Sequence, residues 1–200
     1  MSAESTSRAK APDQIWLSDI TYLWTREGWL YVCAVLDLFA RRIVGWAIAD
    51  HMTRALVLDT LRMALAVRKP RPGLIFRSDR GSQYASHEVR VWLISHAMWQ
   101  SMGGTGNGYD NAPMESFSHS LKVDETHWQD FATRAEAKHG VFGYIEGWYN
   151  TTRMHSSLGY KSPAQFEHSR DATLRGAAND EPTTIPSDSS QSARLNKRAD

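Results

Sequence analysis

Residues 77–84 read Arg-Ser-Asp-Arg-Gly-Ser-Gln-Tyr, and residues 110–117 read Asp-Asn-Ala-Pro-Met-Glu-Ser-Phe. The first acid to consider, Asp79, follows a short apolar run, 74–76, that is typical of a buried strand entering a turn. The second, Glu115, opens a predicted helix that a Gly-rich loop introduces. We therefore expect two rigidly held carboxylates, one at the end of a strand and one in the first turn of a helix.

A third acidic residue, Asp19, lies upstream in a segment, 16–22, that reads Trp-Leu-Ser-Asp-Ile-Thr-Tyr. Three carboxylates brought together by the fold would form a site for hard divalent cations, which take oxygen ligands. Each acid alone also has a structural interpretation, as a turn residue or as a favourable charge in the first turn of a helix. Asp37 is a rival carboxylate, which we expect to pair instead with Arg41 or Arg42.

The composition is that of an ordinary globular domain. The chain has 200 residues, 42% of them hydrophobic, and eight Trp, which suffices for one packed domain. No apolar run is long enough to span a bilayer, and the first residues lack a signal-peptide core. We expect the single Cys, Cys33, to be packed in the core, as suits a reducing cytoplasm. A net charge of +1 neither requires nor excludes nucleic acid, so any case for DNA depends on individual residues.

The periodicity predicts three strands, a helix, a strand, a helix, a strand and a helix, which is an α/β layer arrangement. The first three strands, 15–23, 29–36 and 43–48, are expected to form an antiparallel meander with Trp16, Trp29 and Trp46 in the core. The later elements are a helix capped by Thr53, a strand at 74–76, a helix capped by Ser86 with Ala97 on its inner face, an edge strand at 98–102 and the Glu115 helix.

Composition also predicts the domain boundaries. Residues 1–13 are polar and small, and we expect them to be a flexible lead-in. Residues 14–168 would form the folded unit, ending in a helical extension that begins near residue 133. Residues 169–200 are poor in apolar side chains and are expected to be disordered. The eight His residues lack Cys partners or a repeated ligand spacing, so they indicate no zinc site.

Three stretches together, 16–22, 78–84 and 110–117, resemble the catalytic core of bacterial insertion-sequence transposases of the OrfB type. These transposases belong to the same superfamily as the retroviral integrases. Between Asp79 and Glu115 lie 35 residues, which is the D-D-(35)-E spacing of that superfamily. Further matches occur at 36–46, 148–150 and 155–163, so that the resemblance covers roughly residues 15–167.

The resemblance implies a ribonuclease H-like fold, with a five-stranded mixed sheet flanked by helices, and an enzyme that uses Mg²⁺, for which Mn²⁺ would substitute. Asp19, Asp79 and Glu115 would hold two metal ions about 3.5–4 Å apart. Water would first attack a phosphodiester at a transposon end, and the freed 3′-hydroxyl would then attack a second phosphodiester. No covalent protein intermediate is needed.

Double-stranded DNA, as transposon ends and as target, is the implied partner. Lys122 lies two helical turns after Glu115 and nearly on the same face, which suits a phosphate contact, although a solvated surface Lys is the alternative. Arg77 stands where the family usually has His, and its guanidinium would either hold a phosphate or disturb the carboxylates. Residues 81–84 would position substrate or only shape the turn. The other candidate DNA contacts are Arg80, Asn111, Arg153 and His155, with a helix cap as the alternative for Asn111 and a packing role for His155.

About fourteen residues precede the first predicted strand, so we expect terminal-repeat recognition to reside elsewhere. The upstream-frame DNA-binding protein of the same element is a candidate partner, and strand transfer at two ends favours a homo-oligomer. We expect no membrane partner and a location in the bacterial cytoplasm, with the nucleoid. The leading hypothesis is a transposase catalytic domain. The alternatives are a truncated relic that cannot find transposon ends, a non-catalytic DNA-binding or dimerisation module, and a nonspecific nuclease of the same fold.

Overall fold

A five-stranded mixed sheet is the framework of the computed structural model, which describes residues 9–103, 111–124 and 131–179. The strands are β1 (Ile15–Thr25), β2 (Gly28–Asp37), β3 (Arg42–Ala49), β4 (Ile75–Ser78) and β5 (Trp99–Met102). Their order in the sheet is β3-β2-β1-β4-β5. The first three are antiparallel neighbours, whereas β4 is parallel to β1 and β5 is parallel to β4. The predicted meander and the predicted edge strand are confirmed.

Helices cover both faces of this sheet. They are α1 (Arg54–Val67), α2 (His87–Ser95), α3 (Ala112–Asp124), α4 (Arg134–Phe142) and α5 (Pro163–Asn179). A π-helical segment, Gly143–Tyr149, continues α4, and a 3-10 turn, Ser156–Leu158, precedes α5. Among the described residues, no helix is both long and apolar enough to cross a membrane.

Two hydrophobic cores lie on the two faces of the sheet, because successive side chains of a strand point to opposite sides. On one face, Ile15 and Leu17 of β1 pack in a cluster with α3 and the π-helical segment. On the other, Trp16 of β1 packs in a cluster with α1 and α2. The second strand is buried from Val32 to Asp37, as expected for a strand covered on both faces, and Cys33 is buried there.

Helix α1 approaches the backbone of β3 closely at Gly45. A Cβ atom at this position would lie 2.5 Å from the carbonyl oxygen of Thr60 and 2.7 Å from the Cβ of Ala64. Glycine is therefore required for α1 to pack directly on the sheet.

The π-helical segment places Asn150 at the outer edge of β3. Because each bond spans five residues, the N–H of Asn150 donates to the carbonyl of Ile145 at 3.1 Å. The buried Asn150 side chain accepts from the N–H of Ile43 at 2.9 Å and donates to its carbonyl at 3.0 Å. It thereby satisfies the two polar groups that a further strand would otherwise pair. The sequence predicted an ordinary helix here, since its spacing does not distinguish a π-turn from an α-helical turn.

Asp37 is held differently from the prediction. Its carboxylate contacts neither Arg41 nor Arg42 but accepts from the backbone N–H of Phe39 at 3.1 Å and of Asp13 at 3.2 Å. Proximity in sequence is misleading here, because Arg42 turns away to pair with Glu167 at 2.8 Å.

The predicted flexible lead-in through residue 13 is wrong for residues 9–13. Ala9 is buried, and Asp13, bonded to Asp37, also accepts from the indole N–H of Trp16 at 3.2 Å. These contacts are polar and tertiary, so composition does not reveal them. Residues 1–8 lie outside the described part.

The predicted boundary at residue 168 is also wrong, because α5 continues to Asn179. Past the boundary, Ser169 accepts from Lys161 Nζ at 3.1 Å, and the Arg170 guanidinium lies 5.9 Å from the centroid of the Phe39 ring. Polar and cation–π contacts hold this part of the helix, and a count of apolar residues misses them. The remainder of the predicted tail, 180–200, lies outside the described residues.

Two residues that the sequence placed inside are exposed. Trp29 lies on the surface part of β2, whereas Trp16 is buried and Trp46 is half-buried. Ala97 follows the end of α2 with a positive φ of 54° instead of continuing its inner face.

Candidate active site

Asp19 lies near the middle of β1, half-buried. Its Oδ1 accepts from the N–H of Ile20 at 2.8 Å. Burial raises the pKa of Asp19, and the nearby charges of Asp79 and Glu115 raise it further, while the Ile20 hydrogen bond and Lys122 oppose the shift. Asp79, Glu115 and Lys122 are thus all within electrostatic reach of Asp19.

Asp79 follows β4 directly, on the strand that runs parallel to β1. Leu17 of β1 pairs with Arg77 of β4, so that Asp19 and Asp79 each lie two residues further along neighbouring chains. The Asp79 carboxylate accepts from the N–H of Gly81 at 3.0 Å, as in an Asx turn. A Cβ on Gly81 would lie 3.0 Å from Asp79 Oδ1, so glycine lets the turn close against the carboxylate.

Glu115 is exposed in the first turn of α3, as predicted. The carbonyl of Asn111 accepts from the N–H groups of Met114 at 2.9 Å and of Glu115 at 3.0 Å, so that Asn111 lies where the helix begins. Met114 and Phe117 are buried in the core beneath β1. This packing fixes the helix and leaves Glu115 on its outer face.

Tyr84 anchors the turn that carries Asp79. Its phenol is buried and lies 2.9 Å from Ser18 Oγ, which itself donates to the carbonyl of Ala34 at 2.9 Å. Burial holds the pKa of Tyr84 well above its ordinary value, so the phenol stays protonated. Of the two readings of residues 81–84, this contact supports turn shaping. Ser18 and Tyr84 together join the turn to β1 beside Asp19, and no sequence pattern indicated that pair.

The chemistry of the three carboxylates suits a hard divalent cation, since all their ligand atoms are oxygen and their charges repel one another. They are not close enough to hold a metal ion as they stand. Over residues 9–103, 111–124 and 131–179, no group of three His, Cys, Asp or Glu side chains is so arranged. The donor set therefore fits Mg²⁺ in kind, while the spacing is more open than a closed metal site. Asp110 and the Gly-rich residues 104–108 lie outside the described residues.

Lys122 extends toward β1, and its Nζ lies 4.4 Å from the centroid of the Tyr22 ring. Tyr22 and Trp24 each make an edge contact with Trp29, with ring centroids 5.1 and 4.8 Å apart. All three rings are about half-exposed, at 48%, 54% and 45%. A cation and an aromatic surface thus lie beside Asp19.

The other residues predicted to contact DNA lie in two separate regions. Arg77 is half-buried in β4, and Arg80 is exposed and donates to the carbonyl of Gly103 at 3.1 Å, so both lie beside Asp79. Arg153 and His155 are instead grouped around Tyr149, with the His155 ring 5.3 Å from the Tyr149 ring. The structure does not bring these two residues to the carboxylates.

Comparison with known families agrees with this architecture. Residues 9–108 match the integrase core domain, and residues 115–170 match a second integrase core domain family. The chain belongs to the integrase core family. The two matches take in all three carboxylates, Asp19, Asp79 and Glu115.

The sequence of this integrase core is similar to those of bacterial insertion-sequence transposases, which confirms the resemblance. It is 47% identical over 160 residues to the transposase for insertion sequence element IS904 of Lactococcus lactis, covering 80% of this chain and 63% of that protein. It is 46% identical over 160 residues to transposase InsF for insertion sequence IS3A of Escherichia coli, covering 80% of this chain and 56% of that protein. The chain thus corresponds to less than two thirds of the length of these relatives.

Solved structures identify the fold of the integrase core as ribonuclease H-like. The HTLV-2 integrase catalytic core domain in complex with magnesium superposes with a TM-score of 0.59 at 14% identity, covering 80% of this chain and 99% of that chain. A chain of the cryoEM structure of the simian T-cell lymphotropic virus intasome in complex with PP2A regulatory subunit B56 gamma gives a TM-score of 0.66 at 16% identity, covering 95% of this chain and 62% of that chain. The predicted fold is confirmed.

Proposed function

We propose that the chain is the catalytic domain of an insertion-sequence transposase, which cuts and joins DNA with Asp19, Asp79 and Glu115 as its catalytic and metal-binding residues. The observation that carries this proposal is the mounting of these acids on β1, after the parallel strand β4 and on α3, with Asp79 and Glu115 within electrostatic reach of Asp19. Membership of the integrase core family and similarity to named transposases support it.

Each carboxylate would hold Mg²⁺ through its oxygen atoms, with Mn²⁺ able to substitute. Bound there, the metal would act as a Lewis acid and stabilise the charge that develops on phosphodiester oxygens during an in-line displacement at phosphorus. The chain's own contribution is positioning. Tyr84 and Gly81 fix the Asp79 turn against β1, and the packing of α3 fixes Glu115.

Lys122 would bind a phosphate of the DNA next to the carboxylates, because its charge already acts on Asp19. Further contacts to the DNA backbone, around the Asp79 turn and the start of α3, would come from Arg77, Arg80 and Asn111. The DNA partner comprises the transposon ends and the target, and joining two ends implies a homo-oligomer. Recognition of the terminal repeats would come from segments beyond the matched core, in the same protein or in its upstream-frame partner.

The decisive measurement is cleavage and joining of a labelled duplex carrying the element's ends, with Mg²⁺ or Mn²⁺. Glu115→Gln keeps the size of the side chain and removes its charge, so we expect a loss of at least about 100-fold in cleavage. Glu88→Gln, which removes an exposed carboxylate paired with Arg54, is the matched control and should cleave normally. Equal cleavage by Glu115→Gln and the unmodified chain would contradict the proposal.

Metal binding gives a second readout that is independent of cleavage. Mn²⁺ should raise the unfolding temperature of the unmodified chain and of Glu88→Gln, but raise that of Glu115→Gln much less. A chain that binds DNA, folds normally and neither responds to the metal nor cleaves would be the truncated relic or the non-catalytic module. Cleavage without any preference for the element's ends would indicate the nonspecific nuclease.

A further inference from the structure

A cluster of cationic and imidazole side chains surrounds Tyr149, away from the carboxylates. The Arg153 guanidinium lies 5.3 Å from the centroid of the Tyr149 ring and 5.9 Å from that of Trp148, and the His155 ring packs edge-on against Tyr149 at 5.3 Å. Arg41, at the end of the β2–β3 loop, is close enough for its charge to act on both Tyr149 and His155. We call Arg41, Arg153 and His155 the basic cluster.

The basic cluster lacks a counter-charge. Among the described residues, no Asp or Glu pairs with Arg41 or Arg153. Burial lowers the pKa of Arg41, and Arg153 lowers it further. Burial likewise lowers the pKa of His155 to about 4, with Arg153 and Arg41 adding to the shift. Like charges gathered in a half-buried place without a carboxylate are unfavourable unless an anion joins them.

Two nitrogen atoms of the basic cluster are buried without a hydrogen-bond partner within the described part of the chain. They are Nη1 of Arg153 and Nε2 of His155. Buried polar atoms of this kind are rare, and each calls for a ligand or an ordered water. Arg41 in addition has a positive φ of 56°, a conformation that non-glycine residues adopt at a cost and that is concentrated at functional sites.

The basic cluster opens into a cleft through Arg41. This cleft, of about 610 Å³, is within the size range of ligand pockets. Its lining includes Lys10, Ser157 and Arg170, and none of the described residues that line it is acidic. Arg41 therefore belongs both to the basic cluster and to a cleft that carries two further cationic side chains.

We propose that Arg41, Arg153 and His155 form a phosphate-binding site that holds the backbone of a DNA substrate. Lys10 and Arg170 would contact the same DNA strand where it passes through the cleft. A guanidinium presents two N–H groups in the fork geometry that matches a phosphate, and the two unpaired nitrogens would gain a partner. The proposal deepens the proposed function, on which the assignment of the phosphate to DNA rests.

This site is distinct from the carboxylates. Trp16 pairs with Asp37, the last residue before the β2–β3 loop, and it lies three residues ahead of Asp19. At about 3.3 Å per residue, the loop is at least about 10 Å from Asp19 along the strand. A phosphate held at Arg41 must belong to a different nucleotide from the one at Asp19, so the site would fix the direction of the DNA across the sheet.

The first test is thermal unfolding in inorganic phosphate and in chloride at equal ionic strength. Phosphate should raise the unfolding temperature of the unmodified chain, and Arg41→Gln and Arg153→Gln should lose that rise. In chloride, Arg41→Gln should unfold no earlier than the unmodified chain, because like-charge repulsion is relieved. Arg90→Gln, which removes an exposed guanidinium on α2, should keep the full response. An unchanged response to phosphate in both cluster variants would overturn the site.

The second test shows whether the bound phosphate belongs to DNA. The slope of the logarithm of duplex affinity against the logarithm of salt concentration should fall by about one for each cluster Arg replaced, and not for Arg90→Gln. A response to inorganic phosphate with an unchanged DNA slope would overturn the assignment to DNA. Both tests can be run in Glu115→Gln, so a failure to cleave DNA does not affect them.

Discussion

Asp37 has a carboxyl group whose burial disfavours the ionised form. Its two oxygens each accept one backbone N–H, from Phe39 and Asp13, and the side chain is fully buried at the end of β2. Burial raises its pKa to about 7, although both hydrogen bonds and Arg68 favour the ionised form. Between the ordinary pKa of an Asp and pH 7, the folded chain therefore holds a proton that the unfolded chain releases.

This difference makes the stability of the fold depend on pH. Because the folded state binds more protons in the window from about pH 4 to 7, the free energy of unfolding falls as the pH rises through it. Asp37 contributes about 4 kcal/mol to this change in the free energy of unfolding. In Asp37→Asn this contribution disappears, so its unfolding free energy should decline less between pH 4 and 7. Chemical denaturation at several pH values measures it.

The control for this prediction is Asp59→Asn, which removes an exposed carboxylate from α1. The curves of Asp37→Asn and the unmodified chain should converge or cross as the pH rises. If the two remained parallel over the whole window, Asp37 would not be the source of the dependence.

At the scale of elements, α1 packs directly on the sheet because Gly45 of β3 has no side chain. The helix backbone and Ala64 occupy the space that a Cβ would need. Gly143, in the π-helical segment, has the opposite surroundings. Its φ of −59° is helical, and apart from the adjoining helix backbone no heavy atom of the described residues lies within 4 Å of the position of a Cβ. These two glycines therefore make a matched pair.

Gly45→Ala should force α1 away from β3 and lower the free energy of unfolding by about 1–3 kcal/mol, as overpacking does. Gly143→Ala should leave stability unchanged or raise it by up to about 1 kcal/mol, because Ala restricts the unfolded chain and suits helical backbone. Urea denaturation of both variants tests the pair. A Gly45→Ala chain as stable as Gly143→Ala would show that the contact with α1 is loose.

At the scale of the whole molecule, Glu167 connects the last helix to the sheet and to α1. It accepts from Arg42 of β3 at 2.8 Å and also from Arg68, which follows α1. Burial lowers the pKa of Arg68, but the hydrogen bond and charge of Glu167 outweigh that effect and leave the pKa raised. The start of β3, the end of α1 and the distant helix α5 thus share one carboxylate.

Glu167→Gln should lower the free energy of unfolding by about 1.5–3 kcal/mol, because it removes the charge partner of the Arg42 guanidinium and leaves Arg68 with the longer 3.9 Å contact to Asp13. Glu88→Gln breaks the exposed pair with Arg54 and should change stability by less than about 1 kcal/mol. Equal losses in the two variants, measured by denaturation at one ionic strength, would count against a special role for Glu167.

The strands, the helix starts and the mounting of the catalytic candidates are predictable from sequence, because they depend on local periodicity and on residues such as Ser86 at a helix cap. The side-chain contacts between distant segments are not. Asn150 pairs with the backbone of Ile43, and Tyr84 reaches Ser18, through distances that only the complete fold creates. Of the basic cluster, Arg153 and His155 were predicted as DNA contacts, whereas Arg41 was considered only, together with Arg42, as a partner of Asp37.

The π-helical segment also determines which changes in the number of residues this stretch can accept. A π-turn contains one residue more than the α-helical turn it replaces. If the same number of residues closed as an ordinary helix, Asn150 would lie about 100° further around the helix axis, away from Ile43, so the wide turn absorbs the additional residue. Loss of one codon between Gly143 and Tyr149 should therefore be tolerated where Asn150 is kept, because an ordinary helical turn then preserves its direction, whereas loss of two codons should not be.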